Sequence, residues 1–161
     1  MGRHSGDGSF VGSWAAAAIC WGEVTIAEKQ EQLRAKLGGL KSAQDRLAYV
    51  VGRGRAAPPL EAALRTDAFR VEGCLAKVWF VAQFAEGRCQ FRADSDSAIV
   101  KGIAVLLCEF YSGQSPEEIV RTSPAFLEEF GITQHLTPNR RNSLGRIWES
   151  IRACARSHVK D

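Results

Sequence analysis

The side chains of this chain best suited to nucleophilic chemistry are its five thiols, at Cys20, Cys74, Cys89, Cys108 and Cys154. Their spacing contains no CxxC pair and no Cys/His quartet, which argues against a disulfide framework and against a structural zinc site. Cys74 stands apart within "RVEGCLAKVWF". It follows Gly73, whose backbone can bend or admit a partner, and it sits at an element junction rather than within an apolar stripe. A thiol in such a place can meet another protein's sulfur, where attack on a disulfide or persulfide requires thiolate, access and an in-line approach. Position alone leaves open whether Cys74 is reactive or an idle loop residue.

The other thiols fall on apolar periodicities. Cys89 alternates with Phe91 and Ala93, Cys108 follows Ala104 by one helical turn, and Cys154 follows Ile151 on the apolar stripe of the last helix. Free cysteine commonly packs as a small hydrophobe, so all three are expected in the core.

These residues require a frame, and the punctuation of the chain supplies one. "TIAE" at Thr25 to Glu28 is a capping box, followed by an apolar face of Ile26, Leu33, Leu37 and Leu40, with Gly38 and Gly39 as a left-handed exit. Ser42 caps a second helix burying Leu47, Val50 and Val51. "GRGRAAPP" is expected to break it, and Pro59 to open a short helical turn through Leu64. The period then changes: "KVWFVAQF", the turn "AEGR" and "RCQFRA" form a β-hairpin, with a third short strand expected over Phe69 to Glu72. Helices return in "DSDSAIVKGIAVLLCEFYSG", "SPEE", "SPAFLEEFG" and the segment opening at Thr137-Pro138, which carries Leu144, Ile147, Ile151 and Cys154 inward. The fold class is α+β, two-layered, with a small antiparallel sheet of about three strands packed against helices. Helices on one face would leave the other, with Trp79 and Val81, partly available to a partner.

Length and 45% hydrophobic content fit one domain with an ordinary core, and a net charge of +3 without charge blocks gives no nucleic-acid signature. Free thiols fit a reducing cytoplasm. "SFVGSWAAAAICWG" has the length of a signal-peptide core. Asp7 and the glycines ahead of it, and Ile19 before Cys20, do not fit cleavage, and the run is too short to span a bilayer. Residues 1–24 therefore read as an irregular extension, with an alternative start at Val24 possible, and 25–161 as the single domain.

Four stretches in this order, "EGCLAKVWF", "DSDSAIVKGIAVLL", "SPEEIV" and "GITQHLTPNRRNSL", resemble the SufE family of sulfur acceptors, which includes the CsdE-like proteins. The resemblance runs from about Thr25 to the end. It implies a SufE/IscU-like fold and a protein without a cofactor of its own. Such a protein docks on a pyridoxal-phosphate cysteine desulfurase of SufS or CsdA type and stimulates it. It takes the persulfide sulfur onto one cysteine and passes it to an iron–sulfur scaffold such as a SufBCD-type complex. Carried onto this chain, the acceptor is Cys74 on the Gly73-Cys74 tip, its resting sulfur sheltered by apolar side chains until the loop swings out. The extension and the loop "GRGRAAPPLEAALRTDAFR" depart from the family pattern.

The same resemblance singles out three further positions, each with two readings. Asp96 is either a support near the reactive loop or a helix N-cap. His135 is either a proton-transfer group or a residue holding the turn before the last helix. Arg140 is either a contact to the desulfurase or a solvated surface charge. The competing functions are a scaffold that assembles the cluster itself, which needs several converging ligands, and an adaptor that docks on a desulfurase without carrying sulfur.

Overall fold

The computed structural model describes residues 24–160. The expected extension lies outside them except for Val24, and so does Cys20. Helix α1 (Ile26–Gly38) starts where Thr25 Oγ1 accepts the amide of Glu28 at 3.2 Å, and α2 (Ala43–Ala56) starts where Ser42 Oγ accepts that of Asp45 at 3.1 Å. The exit from α1 is not left-handed as expected, because Gly39 has φ −77°. The guanidinium of Arg46 instead donates to the carbonyls of Leu37 and Leu40 at 2.9 and 3.1 Å, so an arginine from α2 serves orphan acceptors at that end.

Helix α2 ends within "GRGRAAPP" as expected, at Ala56, after running through "GRGR". Gly54 faces Gly102 of α3 (Ala98–Tyr111), and a Cβ on Gly102 would stand 2.7 Å from the carbonyl oxygen of Val50. Glycine is needed here for close helix approach, which offsets its poor helix propensity. The expected helical turn at Pro59 reduces to a turn in which Leu64 N donates to Glu61 O at 2.8 Å.

Strands β1 (Val78–Ala85) and β2 (Arg88–Ser95) pair antiparallel, with Phe80 opposite Ala93 and Phe84 opposite Cys89. Positive φ at both Glu86 (56°) and Gly87 (76°) closes the two-residue turn with the twist that the strands require. The sheet has two strands among the described residues, not about three. At the expected third strand, a 3-10 turn (Asp67–Phe69) precedes a single bridge from Arg70 to Trp79. Gly73, at φ +82°, turns the chain away before a ladder can grow.

Val78, Cys89, Phe91 and Ala93 face α3 and share one core with α1, α2 and the C-terminal helices α4 (Pro116–Arg121), α5 (Phe126–Glu129) and α6 (Pro138–Arg156). Helix α5 lacks the side-chain cap expected from "SPAF", and Gly131 with φ +70° ends it. The opposite sheet face is not left open as expected. Leu60 and Leu64 cover Val81, which is 8% exposed, and Phe69 and Trp79 pack against the same cluster. The loop that departs in composition from the family pattern thus acts as the lid of the second face.

Candidate functional site

The Cys74 loop occupies residues 72–77, between the Arg70 bridge and β1, and both of its flanks are tied to backbone or to short polar side chains. Upstream, Val71 N donates to Val78 O at 2.8 Å. Downstream, Lys77 N donates to a carboxylate oxygen of Asp96 at 3.0 Å, while Ser95 Oγ and Asp96 N donate to Lys77 O at 2.7 and 3.2 Å. Asp96 is therefore not the helix cap. That role falls to Ser97, whose Oγ accepts the amide of Val100 at 3.4 Å.

"DSDS" consequently divides its work among four neighbours. Asp94, 5% exposed, accepts from the amides of Leu60 (3.0 Å) and Ser95 (2.8 Å) and pairs with Lys101 Nζ at 3.4 Å. It ties the covering loop to β2 and α3, while Ser95 and Asp96 hold the exit of the cysteine loop. Buried carboxylates are retained where such donors surround them.

Two residues that sequence reasoning missed face the tip. Asn142 Nδ2 donates to Gly73 O at 2.8 Å, and the guanidinium of Arg146 lies so close that a Cβ on Gly73 would stand 3.1 Å from its Cζ. A spacing of four puts Asn142 and Arg146 on one face of α6, and that polar pair was the available signal. Arg140, two residues before Asn142, is turned roughly 200° around the helix from it. Its amide is capped by Thr137 Oγ1 at 3.3 Å. His135 is exposed in a 3-10 turn (Thr133–His135) that is closed by Leu136 N donating to Thr133 O at 3.2 Å. Among the described residues, no hydrogen bond or ion pair joins the side chain of His135 or Arg140 to the cysteine loop. The structure thus brings together Gly73, Cys74 and Asp96 of the expected set and leaves His135 in the turn before α6 and Arg140 in the first turn of that helix.

Cys74 itself is half-buried against the edge of the main core, and the next residue, Leu75, is 78% exposed. An open cleft of about 290 Å³, lined by Asp67, Arg70, Val71, Glu72, Gly73 and Cys74, adjoins the thiol. Cys89 and Cys108 are buried as expected, and burial pushes the Cys108 thiol far up. Cys154 departs from expectation: it is half-buried at the rim of the stripe, and the neighbouring Ala155 takes the fully buried place. No cluster of three or more His, Cys, Asp or Glu side chains suited to a metal occurs among the described residues.

The geometry defines an α+β domain that presents one partly sheltered thiol on a glycine-turned loop framed by backbone hydrogen bonds. The SufE family profile, described as an Fe-S metabolism associated domain, matches residues 31–155, and the chain belongs to that family. It is 41% identical over 92 residues to SufE-like protein 1, chloroplastic/mitochondrial, of Arabidopsis thaliana, covering 56% of this chain and 25% of that protein. It is 32% identical over 102 residues to the uncharacterized SufE-like protein slr1419 of Synechocystis, covering 63% of this chain and 64% of that one. The chain thus spans less than two thirds of either relative. A solution structure of a hypothetical protein from Thermus thermophilus shares the fold, with TM-score 0.64 and 22% identity over 80% of this chain and 93% of that one. These findings place the protein in iron–sulfur metabolism. No helix among the described residues is long and apolar enough to cross a membrane.

Proposed function

We propose that the protein is a sulfur acceptor and carrier that works from Cys74 in the cytoplasm. The Cys74 thiolate attacks the outer sulfur of a persulfide on a pyridoxal-phosphate cysteine desulfurase. A new S–S bond forms at Cys74 as the old one breaks, and the desulfurase cysteine leaves as a thiolate. Clearing that persulfide stimulates the desulfurase, and the Cys74 persulfide then passes its sulfur to an iron–sulfur assembly scaffold. The pyridoxal phosphate belongs to the partner, so the carrier needs no cofactor of its own.

The observation that carries this reading is the placement of Cys74 in a SufE-family domain. The thiol is half-buried beside an open cleft, on a loop whose ends are fixed while its tip is tethered to α6 by Asn142. A loop built this way can shelter a persulfide and still present it to a docked protein. Exposed Leu75 beside the thiol offers an apolar contact for that partner.

Incubation with a cysteine desulfurase and L-cysteine should add one sulfur to the tryptic peptide containing Cys74, read by mass spectrometry under non-reducing conditions. The Cys74→Ser variant should neither gain sulfur nor stimulate the desulfurase. Undiminished stimulation by that variant would establish a docking adaptor instead. Iron and sulfide retained by the purified protein would favour a scaffold.

A further inference from the structure

The cleft beside Cys74 is charged, whereas a simple shelter for sulfur would be apolar. Besides Val71, Gly73 and Cys74, its lining consists of one guanidinium, from Arg70, and two carboxylates, from Asp67 and Glu72. Backbone contacts fix this arrangement. Arg70 N donates to Asp67 O at 3.3 Å, which sets both residues on one tight turn. Arg70 then bridges to Trp79, and buried Val71 donates to Val78 O at 2.8 Å. Gly73, at φ +82°, turns the chain so that Glu72 and Cys74 border the same space. No ion pair among the described residues involves Asp67, Arg70 or Glu72. Charged groups of both signs thus line the cleft of the thiol without pairing with one another.

We infer that this cleft binds a small zwitterionic aminothiol, with L-cysteine as the type, and that sulfur carried on Cys74 is discharged to it. The inference rests on Cys74 being the persulfide-bearing thiol. Arg70 receives the carboxylate of the ligand through its planar fork, Asp67 and Glu72 receive the ammonium, and the ligand sulfur faces Cys74. The ligand thiolate attacks the outer sulfur of the Cys74 persulfide. An S–S bond forms between those two sulfurs, the bond from the outer sulfur to Cys74 Sγ breaks, and Cys74 leaves as a thiolate. The proton on the outer sulfur stays there, so the product is L-cysteine persulfide, and no oxidant or reductant is consumed.

Size and charge select this class. Pockets for drug-sized ligands measure roughly 300–1,000 Å³. A cleft of about 290 Å³ therefore suits an amino acid better than a tripeptide thiol such as glutathione. A thiol with a carboxylate alone meets two like charges, and one with an ammonium alone leaves Arg70 unpaired. Only the zwitterion answers both signs. Because Asp67 and Glu72 are exposed, each contact is weak, and half-saturation is expected on the order of 1 mM.

The test loads the full chain with inorganic polysulfide, so that it does not depend on a desulfurase. Loss of the Cys74 persulfide is then followed by peptide mass spectrometry after addition of L-cysteine, cysteamine, 3-mercaptopropionate or glutathione at equal thiolate concentration. L-Cysteine should discharge Cys74 several-fold faster than the other three, at a rate that saturates. Arg70→Gln, which keeps the backbone bridge to Trp79, should slow L-cysteine to the rate of cysteamine and leave cysteamine unchanged. The double variant Asp67→Asn/Glu72→Gln should slow L-cysteine and cysteamine but not 3-mercaptopropionate. Arg65→Gln, the same change of charge outside the cleft lining, should match wild type. Rates that follow thiolate concentration alone would overturn the inference, as would an L-cysteine rate unchanged in Arg70→Gln or equally slowed in Arg65→Gln. A desulfurase that fails to load Cys74, with the polysulfide-loaded chain still preferring L-cysteine, would overturn the acceptor reading and leave the cleft assignment standing. Polysulfide that leaves Cys74 unmodified would count against both.

Discussion

Asn142 and Gly73 are 69 residues apart in sequence and joined by one hydrogen bond of 2.8 Å, from the side-chain amide on α6 to the carbonyl just ahead of Cys74. The bond tethers the tip of the thiol loop to the helix that also carries Arg146 and, at its far end, Cys154. Asn142→Ala should cost only about 0.5–1 kcal/mol, because water can replace an exposed partner. It should nevertheless raise the rate at which iodoacetamide alkylates Cys74, measured peptide by peptide, since the tip loses its link to α6.

Gly73 itself cannot be replaced cheaply. Its φ of +82° disfavours any side chain, and the nearest atoms to an added Cβ belong to the flexible end of Arg146, which can move aside. Gly73→Ala should therefore destabilise the protein by about 1–2 kcal/mol through the backbone alone. Adding Arg146→Ala should not restore the loss in a urea titration. Recovery in the double variant would show that crowding, not φ, dominates.

Asp96 acts on the other flank through its acceptor oxygen. Asp96→Ala removes the partner of Lys77 N, whereas Asp96→Asn keeps an oxygen there. The alanine variant should lose about 1 kcal/mol of stability and alkylate faster at Cys74, with the asparagine variant close to wild type.

Gly102→Ala tests the crossing of α2 and α3. Alanine improves helix propensity by about 1 kcal/mol. Its Cβ, however, would sit 2.7 Å from Val50 O and 2.9 Å from Val51 Cα, both backbone atoms that move only with their helix. Overpacking of this kind costs about 1–3 kcal/mol, so the net effect should be a lower thermal midpoint in spite of the better helix former.

Lys29 is 2% exposed, and its ammonium donates to the carbonyls of Glu109 and Ser112 at 2.7 and 2.8 Å near the end of α3. Burial lowers its pKa to about 8, partly countered by Glu109. Above that value the folded chain releases the proton while the unfolded chain keeps it up to about pH 10, so stability attributable to this group rises with pH across that window. The stability of wild type minus that of Lys29→Met, from urea titrations, should increase by about 2 kcal/mol between pH 7 and pH 10. A flat difference would mean that Lys29 keeps its charge.

Much of the frame could be read from local patterns. Hydroxyl caps at Thr25, Ser42, Ser115 and Thr137 start the helices they announce, and the hairpin lies where the period changes to two. These features depend on neighbours within four residues, which a sequence displays directly. The same periodicity separated Cys74 from Cys89 and Cys108, and a few ordered motifs placed the chain among the SufE proteins. Tertiary packing decided the rest. It carried Asn142 and Arg146 to Gly73, made Asp96 a loop clamp rather than a helix cap, and drew "GRGR" into α2 through the Gly54–Gly102 contact. Each of these depends on where two distant segments meet, and that is set by the shared core rather than by the residues on either side.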